Sequence, residues 1–262
     1  MTRTLKQLIP SWLKVRLYRL ILIGKKIIDY ILYIKVKNFS KSETKFSFNN
    51  TEYEYHIALH NTTFLNERAV EIPIILDYIK EFENKEILEV GNVISYYTKV
   101  EYDILDKYER GRGVINQDIV DYQPQKRYDL IISISTFEHI GYDEVSRYGK
   151  NKETRVKKRM LLDAIENTKH LLKPNGTFVF TAPLGFNDYL DSQLIGNRLE
   201  LTETHFLKRI SASNKWIQVE QEDMIGIKYN DPYPWANGLL IGIYSKSAYN
   251  KPKSSSAARP SA

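Results

Sequence analysis

The chain has 262 residues, 42% hydrophobic and 27% charged, which is the composition of a folded protein long enough for one sizeable domain with an appendage, or for two small domains. It has no cysteine, which excludes a disulfide framework, a thiolate zinc site and a cysteine nucleophile, and fits a reducing compartment. The net charge of +6 is uneven: residues 1–38 carry nine basic side chains against one acidic, Asp29, and the remainder is slightly acidic, so no nucleic-acid partner is expected.

Ser11 can cap a helix that starts near Trp12. Leu13, Leu17, Leu20, Ile21, Gly24, Ile27, Ile28, Ile31 and Ile34 recur at helical spacing and form one apolar stripe. Charges interrupt the segment too often for a transmembrane span. Its apolar runs are too short for a signal peptide, and no small-residue cleavage site follows. Residues 1–38 are therefore expected to form a basic amphipathic helix. With Trp12, Tyr18, Tyr30 and Tyr33, residues 11–37 suit an anionic membrane surface or a partner protein, and the alternative is a helix packed on its own domain. The expected location is cytoplasmic, peripheral to the inner face of the cell membrane.

Residues 38–52 are polar and read as a linker within a lead-in over 39–64. Glu67 to Phe82 reads as a helix with Pro73 near its start. The apolar run Ile87-Leu88-Glu89-Val90-Gly91 reads as a buried strand ending at an acid and a glycine. Strands are expected at Tyr102 to Asp106, Gly113 to Asp118 and Tyr128 to Ser135. The charged stretch Arg147 to Lys158 leads into a helix over Met160 to Leu172, which stops at Lys173-Pro174-Asn175-Gly176. Further strands follow at Gly176 to Pro183, Trp216 to Glu220 and Leu239 to Tyr244, with Asp231 to Pro234 as a loop. The domain runs over 65–248, and residues 249–262 are a low-complexity tail expected to be disordered.

Strands alternating with helices favour a parallel sheet covered on both faces, whose ligand sits at the carboxyl ends of the strands. Those ends are Glu89-Val90-Gly91-Asn92, Asp106, Asp118 and Ser133 to Glu138. An acid after the second strand can accept both ribose hydroxyls of an adenosine cofactor; Asp106 is best placed, with Glu109 as runner-up. Gly91 lets the backbone approach a ligand closely. Asp118 could accept from an adenine amino group. Each acid alone also reads as a strand-end or helix-capping residue.

Three segments in order carry a resemblance. They are Ile87 to Gly91, then Tyr128-Asp129-Leu130-Ile131-Ile132-Ser133-Ile134-Ser135-Thr136-Phe137-Glu138-His139-Ile140, then Leu171-Leu172-Lys173-Pro174-Asn175-Gly176-Thr177-Phe178-Val179-Phe180-Thr181-Ala182-Pro183. Together they resemble the class I S-adenosylmethionine-dependent methyltransferases, over roughly residues 65–245. The Glu-His pair resembles their small-molecule and lipid-precursor branch. The resemblance implies an α/β, Rossmann-like mixed sheet of seven strands, mostly parallel with the last antiparallel. It implies S-adenosylmethionine as cofactor, contacted by Glu89, Gly91, Asp106, Asp118 and the stretch around Ser135. The family continues its first loop as Gly-x-Gly, whereas this chain has Gly91-Asn92-Val93-Ile94-Ser95. Either the loop takes another course, with Asn92 or Ser95 at the cofactor, or the chain is a non-catalytic binding or scaffold protein of this fold.

If the methyl acceptor is a hydroxyl, a base must remove its proton, and His139 is the leading candidate; the alternative is that Glu138-His139 orders the loop. Tyr97, Asn187 and Trp235 are candidate acceptor contacts in loops near strand ends. The acceptor is expected to be a small molecule or a glycan or lipid-linked intermediate. No spacing of His, Asp and Glu suggests a metal, and no Gly-x-Ser-x-Gly elbow suggests a hydrolase. A nicotinamide-dependent oxidoreductase is disfavoured because its glycine-rich fingerprint is absent.

Overall fold

The computed structural model describes residues 11–38, 44–142 and 154–247. One mixed sheet dominates. In chain order its strands are β3 (Ile87–Val90), β4 (Asp103–Leu105), β5 (Val114–Ile115), β6 (Tyr128–Ile134), β7 (Leu172–Pro183), β8 (Glu203–Arg209), β9 (Trp216–Val219) and β10 (Gly238–Ser245). In space they lie β5-β4-β3-β6-β7-β10-β8-β9. The strands from β5 to β7 are mutually parallel, and β10 runs antiparallel to both β7 and β8. The seven-strand expectation is thus corrected to eight: β9 adds an antiparallel edge strand beside β8. The rest of the expected arrangement stands, with the last strand antiparallel.

Side chains alternate across this sheet with the period of two that a strand imposes. Ile131, Phe178 and Phe180 point to one face, with Leu161, Ala164 and Ile165 of α3 (Thr154–Leu171) and Leu190 and Leu194 of α4 (Asp188–Ile195). Leu130, Ile132, Ile134 and Val179 point to the other, with Val70, Ile72, Ile74 and Ile75 of α2 (Arg68–Glu81). Both faces are covered, so the central strands read as near-continuous apolar runs. Pro73 lacks the N–H that would bond Ala69 O inside α2, and that carbonyl instead accepts the His56 N–H at 2.9 Å.

Three local expectations change. The stretch read as a polar linker contains a hairpin, β1 (Lys45–Phe48) and β2 (Thr51–Glu54). Asn49 and Asn50 both have positive φ, 48° and 62°, as its two-residue turn requires. Phe46 and Phe48 are buried, and Asn49 and Gln218 exchange hydrogen bonds at 2.7 and 3.0 Å, so the hairpin belongs to the domain. The turn Lys173 to Gly176 lies inside β7 as an irregularity, between the pairs Tyr128 with Leu172 and Leu130 with Thr177. Strand β8 and helix α4 have no counterpart in the sequence reading. The tail over 249–262, much of Arg147 to Lys158, and the side chains of Ser11, Trp12, Leu13 and Leu17 fall outside the description.

Helix α1 (Ser11–Asn38) does not pack its apolar stripe on the domain. Leu20, Ile21, Ile27, Ile28 and Ile31 are all more than half exposed. Its C-terminal end meets the body, with the Tyr33 ring 6.2 Å from that of Phe64. Among the described residues no helix is long and apolar enough to cross a membrane.

Candidate active site

The site begins where β3 ends. The chain turns at Gly91 with φ of +86°, and the Gly91 N–H donates to Leu105 O of the neighbouring strand at 2.8 Å. A Cβ at this position would lie 2.2 Å from Thr136 Oγ1, so both backbone and space require glycine. Beneath the turn, the fully buried Glu89 accepts the N–H groups of Val93 at 2.8 Å and Ile94 at 2.9 Å, and the Tyr102 hydroxyl at 3.2 Å. Burial pushes its carboxyl up to about 7. Glu89 therefore shapes the loop from below and lies off the cavity wall. Val93 has φ of −120°, which a branched residue adopts freely, and its side chain joins the core cluster under α2. The loop needs no second glycine because it leaves into a 3-10 turn, Ile94–Tyr96, with Val93 directed inward.

Loop amides also organise the acids after β4 and β5. Asp106 Oδ1 accepts the N–H groups of Tyr108 at 2.8 Å and Glu109 at 2.7 Å, while Oδ2 holds only a long bond from Asn92 N at 3.3 Å. Asn92 donates through Nδ2 to Glu109 Oε1 at 2.6 Å and accepts from the Ser95 hydroxyl. Asp118 Oδ1 accepts Val120 N at 3.1 Å, and Oδ2 pairs with Lys107 Nζ at 2.8 Å. Asp106 and Asp118 face one cavity of about 340 Å³, floored by Gly91 and walled by Leu105, Ile119 and Ile140. That volume is within the range of small-molecule sites, and its position at the strand tips is the one expected of an open parallel sheet.

A second chamber, of about 450 Å³, adjoins the first. Ser135 and His139 line both. The start of α2 supplies Glu67 and Arg68, the segment after β6 supplies Glu138, and Phe186, Tyr229 and Trp235 form an aromatic wall. Arg68 Nη1 bonds Glu71 Oε2 at 2.7 Å. The other oxygen of the fully buried Glu71 accepts the hydroxyls of Ser135 and, at 2.6 Å, Thr181. Glu67 Oε2 accepts Ala236 N at 3.2 Å, and burial, reinforced by the charge of Glu71, raises its carboxyl. Glu138 Oε1 lies 3.6 Å from His139 Nε2, and Glu138 Oε2 is buried with no hydrogen-bond partner. Burial holds this carboxyl well above the usual carboxylate range. His139 is half-exposed at the junction of the chambers, its ring 4.9 Å from that of Phe186.

Of the residues singled out from the sequence, Gly91, Asp106, Asp118, Ser135 and His139 thus meet on one cavity, and Trp235 lines the second. Asn92 stands behind the first cavity as a tie between loops. Tyr97 lines neither; its hydroxyl is buried without a partner and its ring packs against His56 at 4.8 Å. Asn187 is the N-cap of α4, accepting Tyr189 N and Leu190 N at 3.2 Å, and donates to Glu138 O at 2.8 Å. Sequence reasoning missed Glu67, Arg68, Glu71, Phe186 and Tyr229. The signal for the first three was three charges around the opening turn of a helix that continues into the apolar run Ile72 to Leu76, since charged residues are rarely buried there unless paired. Among the described residues no cluster of His, Asp and Glu is placed to hold a metal ion.

No protein-family model and no curated protein matches the chain. Solved structures similar in fold include the N-methyltransferase NodS from Bradyrhizobium japonicum in complex with S-adenosyl-L-homocysteine, with 13% identity and a TM-score of 0.39 over 69% of this chain and 91% of that one. A SAM-dependent methyltransferase from Archaeoglobus fulgidus has 15% identity and a TM-score of 0.40 over 72% and 98%. TehB from Haemophilus influenzae has 12% identity and a TM-score of 0.38 over 68% and 63%. Values this low carry no functional assignment, which rests on the site itself.

Proposed function

We propose that the protein is an S-adenosylmethionine-dependent methyltransferase whose first cavity takes the cofactor and whose adjoining chamber takes the acceptor. The observation that carries this reading is the meeting of Gly91, Asp106 and Asp118 on one cavity at the carboxyl ends of parallel strands. The residues present suit the group. Asp106 Oδ2, the less occupied oxygen, can accept ribose hydroxyls. Leu105, Ile119 and Ile140 offer apolar walls to a flat base, and Asp118 can accept from its amino group. The valine at the second glycine position, which favoured a non-catalytic protein, has its side chain in the core and leaves the crevice open.

Held by Gly91, Asp106 and Asp118, the cofactor would supply an activated methyl whose carbon–sulfur bond would release its electron pair to sulfur as the acceptor's lone pair took the methyl. The protein's part is to align the acceptor, exclude water and hold the released proton. His139 lines both chambers and is the group proposed to take that proton from a hydroxyl acceptor.

Calorimetry with S-adenosylhomocysteine tests the reading. Wild-type protein should bind it, and Asp106→Ala should weaken binding by about tenfold to a hundredfold, the worth of hydrogen bonds to one charged group. Because Asp106 also caps two loop amides, the melting temperature of the variant is measured alongside. Absence of wild-type binding to both S-adenosylmethionine and S-adenosylhomocysteine overturns the assignment.

We further propose that α1 lies on an anionic membrane surface, where a glycan or lipid-linked acceptor would be found. Its apolar stripe is exposed, and Lys25, Lys26, Lys35 and Lys37 are exposed on the same helix. Full-length protein should float with vesicles containing phosphatidylserine and not with pure phosphatidylcholine. The pair of substitutions Ile21→Asp and Ile28→Asp should abolish flotation; unchanged flotation removes the membrane proposal.

A further inference from the structure

The second chamber carries a charge imbalance that methyl transfer alone does not require. Three carboxylates, Glu67, Glu71 and Glu138, act on the guanidinium of Arg68, and the buried Arg209 adds one further positive charge near Glu67. Arg68 is committed to Glu71 Oε2 at 2.7 Å, and the other Glu71 oxygen is taken by two hydroxyls. Glu67 holds Ala236 N. Within this cluster Glu138 Oε2 is left unpartnered, on a side chain that is 1% exposed and belongs to the chamber lining. A buried acceptor with no donor carries a desolvation cost, which a ligand that brings a donor would relieve. The same chamber is lined by aromatic side chains: the Phe186 and Tyr229 rings lie 5.1 Å apart and nearly perpendicular, and Trp235 adds a further, half-exposed face. Unsatisfied carboxylate beside aromatic faces is the chemistry that recognises an organic cation.

Resting on the methyltransferase reading, we propose that the acceptor is an organic amine, which enters the chamber as an ammonium ion, is held by Glu138 Oε2 against Phe186, Tyr229 and Trp235, and passes one proton to the Glu138 carboxylate to free the lone pair that accepts the methyl. An anionic acceptor is disfavoured because Arg68 is already bonded and outnumbered. A neutral hydroxyl would leave the carboxylate excess unanswered.

The arrangement couples binding to a proton. Burial above all holds the Glu138 carboxyl high; the charge of Arg68 opposes this, and those of Glu71 and Glu67 add to it. His139 adjoins it and Tyr229 faces it across the chamber. Burial favours the neutral acid and an ammonium ion placed at Oε2 favours the carboxylate, so binding should shift Glu138 toward proton release.

The test uses full-length protein saturated with S-adenosylhomocysteine and three probes of one shape: phenethylamine, 2-phenylethanol and phenylacetate. Titrations are run at neutral pH in phosphate and in Tris, so that the difference in enthalpy counts protons. The amine should bind at least about tenfold more tightly than the alcohol and release a proton, and the acid should bind worst. Glu138→Gln should cut the preference for the amine to below roughly threefold and abolish proton release. Trp235→Leu, at a side chain outside the core, should weaken the amine while keeping the proton release. Equal binding of amine and alcohol, tightest binding of phenylacetate, or no binding of any probe overturns the proposal. Binding of S-adenosylhomocysteine, measured first in the same protein, separates the two ideas. If it fails while the amine preference persists in unloaded protein, the cofactor reading falls and the chamber's cation specificity stands.

Discussion

Gly91→Ala should abolish S-adenosylhomocysteine binding and lower the melting temperature. Two independent costs meet at this residue. Its φ of +86° is strained for any residue with a Cβ, by about 1–2 kcal/mol. The added carbon would also stand 2.2 Å from Thr136 Oγ1, 3.0 Å from Cγ2 and 3.1 Å from Cβ. Thr136 cannot step aside cheaply. It is branched at Cβ, its hydroxyl donates to Ile134 O at 3.0 Å, and it opens the 3-10 turn Phe137–His139. Moving it shifts Glu138 and His139, so the damage reaches both chambers. Overpacking of this kind adds about 1–3 kcal/mol, and a combined loss near 3 kcal/mol lowers the melting temperature by roughly 6–12 °C in a chain of this size. Adding Thr136→Gly to Gly91→Ala should recover the steric share and leave the backbone share. Thermal melts and calorimetry of the two variants beside the wild type decide it; a Gly91→Ala protein that melts and binds like the wild type refutes the account of this turn.

The same turn shows how far the sequence could be read. The apolar runs of β3, β6 and β7 fix a covered parallel sheet, and the tips of such strands converge whatever the loops do. That is why Gly91, Asp106, Asp118, Ser135 and His139 meet as expected. The sequence shows Val93 only as a branched residue where the resemblance leads one to expect glycine. Its φ of −120° and its place in the core depend on the Glu89 carboxylate gathering the amides of Val93 and Ile94, a tertiary fact. The hairpin β1–β2 escaped notice because its strands are short and mostly polar, and its buried residues Phe46 and Phe48 meet neighbours far along the chain. Strand β8 carries Glu203, Thr204, His205, Lys208 and Arg209 among its seven residues, so its apolar signal is weak although β10 and β9 flank it. The second chamber was the least legible. It needs the first turn of α2, the segment after β6, and the loops bearing Phe186 and Tyr229 to converge, and no local pattern announces that.

Glu71→Leu should be the most destabilising single change near the site. Glu71 is fully buried and accepts from three elements: Arg68 beside it on α2, Ser135 after β6, and Thr181 on β7, 64 and 110 positions away for the last two. Leucine fills a similar volume, so the loss is electrostatic rather than a cavity. It leaves the Arg68 guanidinium without its bonded partner and two buried hydroxyls without an acceptor. Removing one member of a buried ion pair costs about 3–5 kcal/mol, a large fraction of the stability of an ordinary domain. Glu71→Gln keeps an oxygen for the hydroxyls and loses the charge, so it should fall between. Adding Arg68→Leu to Glu71→Leu should recover part of the loss by removing the stranded cation, although Glu67 and Glu138 then lose the Arg68 charge and the recovery stops short of wild type. Urea unfolding of the four proteins measures this order directly. If Glu71→Leu unfolds within about 1 kcal/mol of the wild type, then Arg68 is satisfied by Glu67 and Glu138, and Glu71 is a bystander rather than the joint between the two chambers.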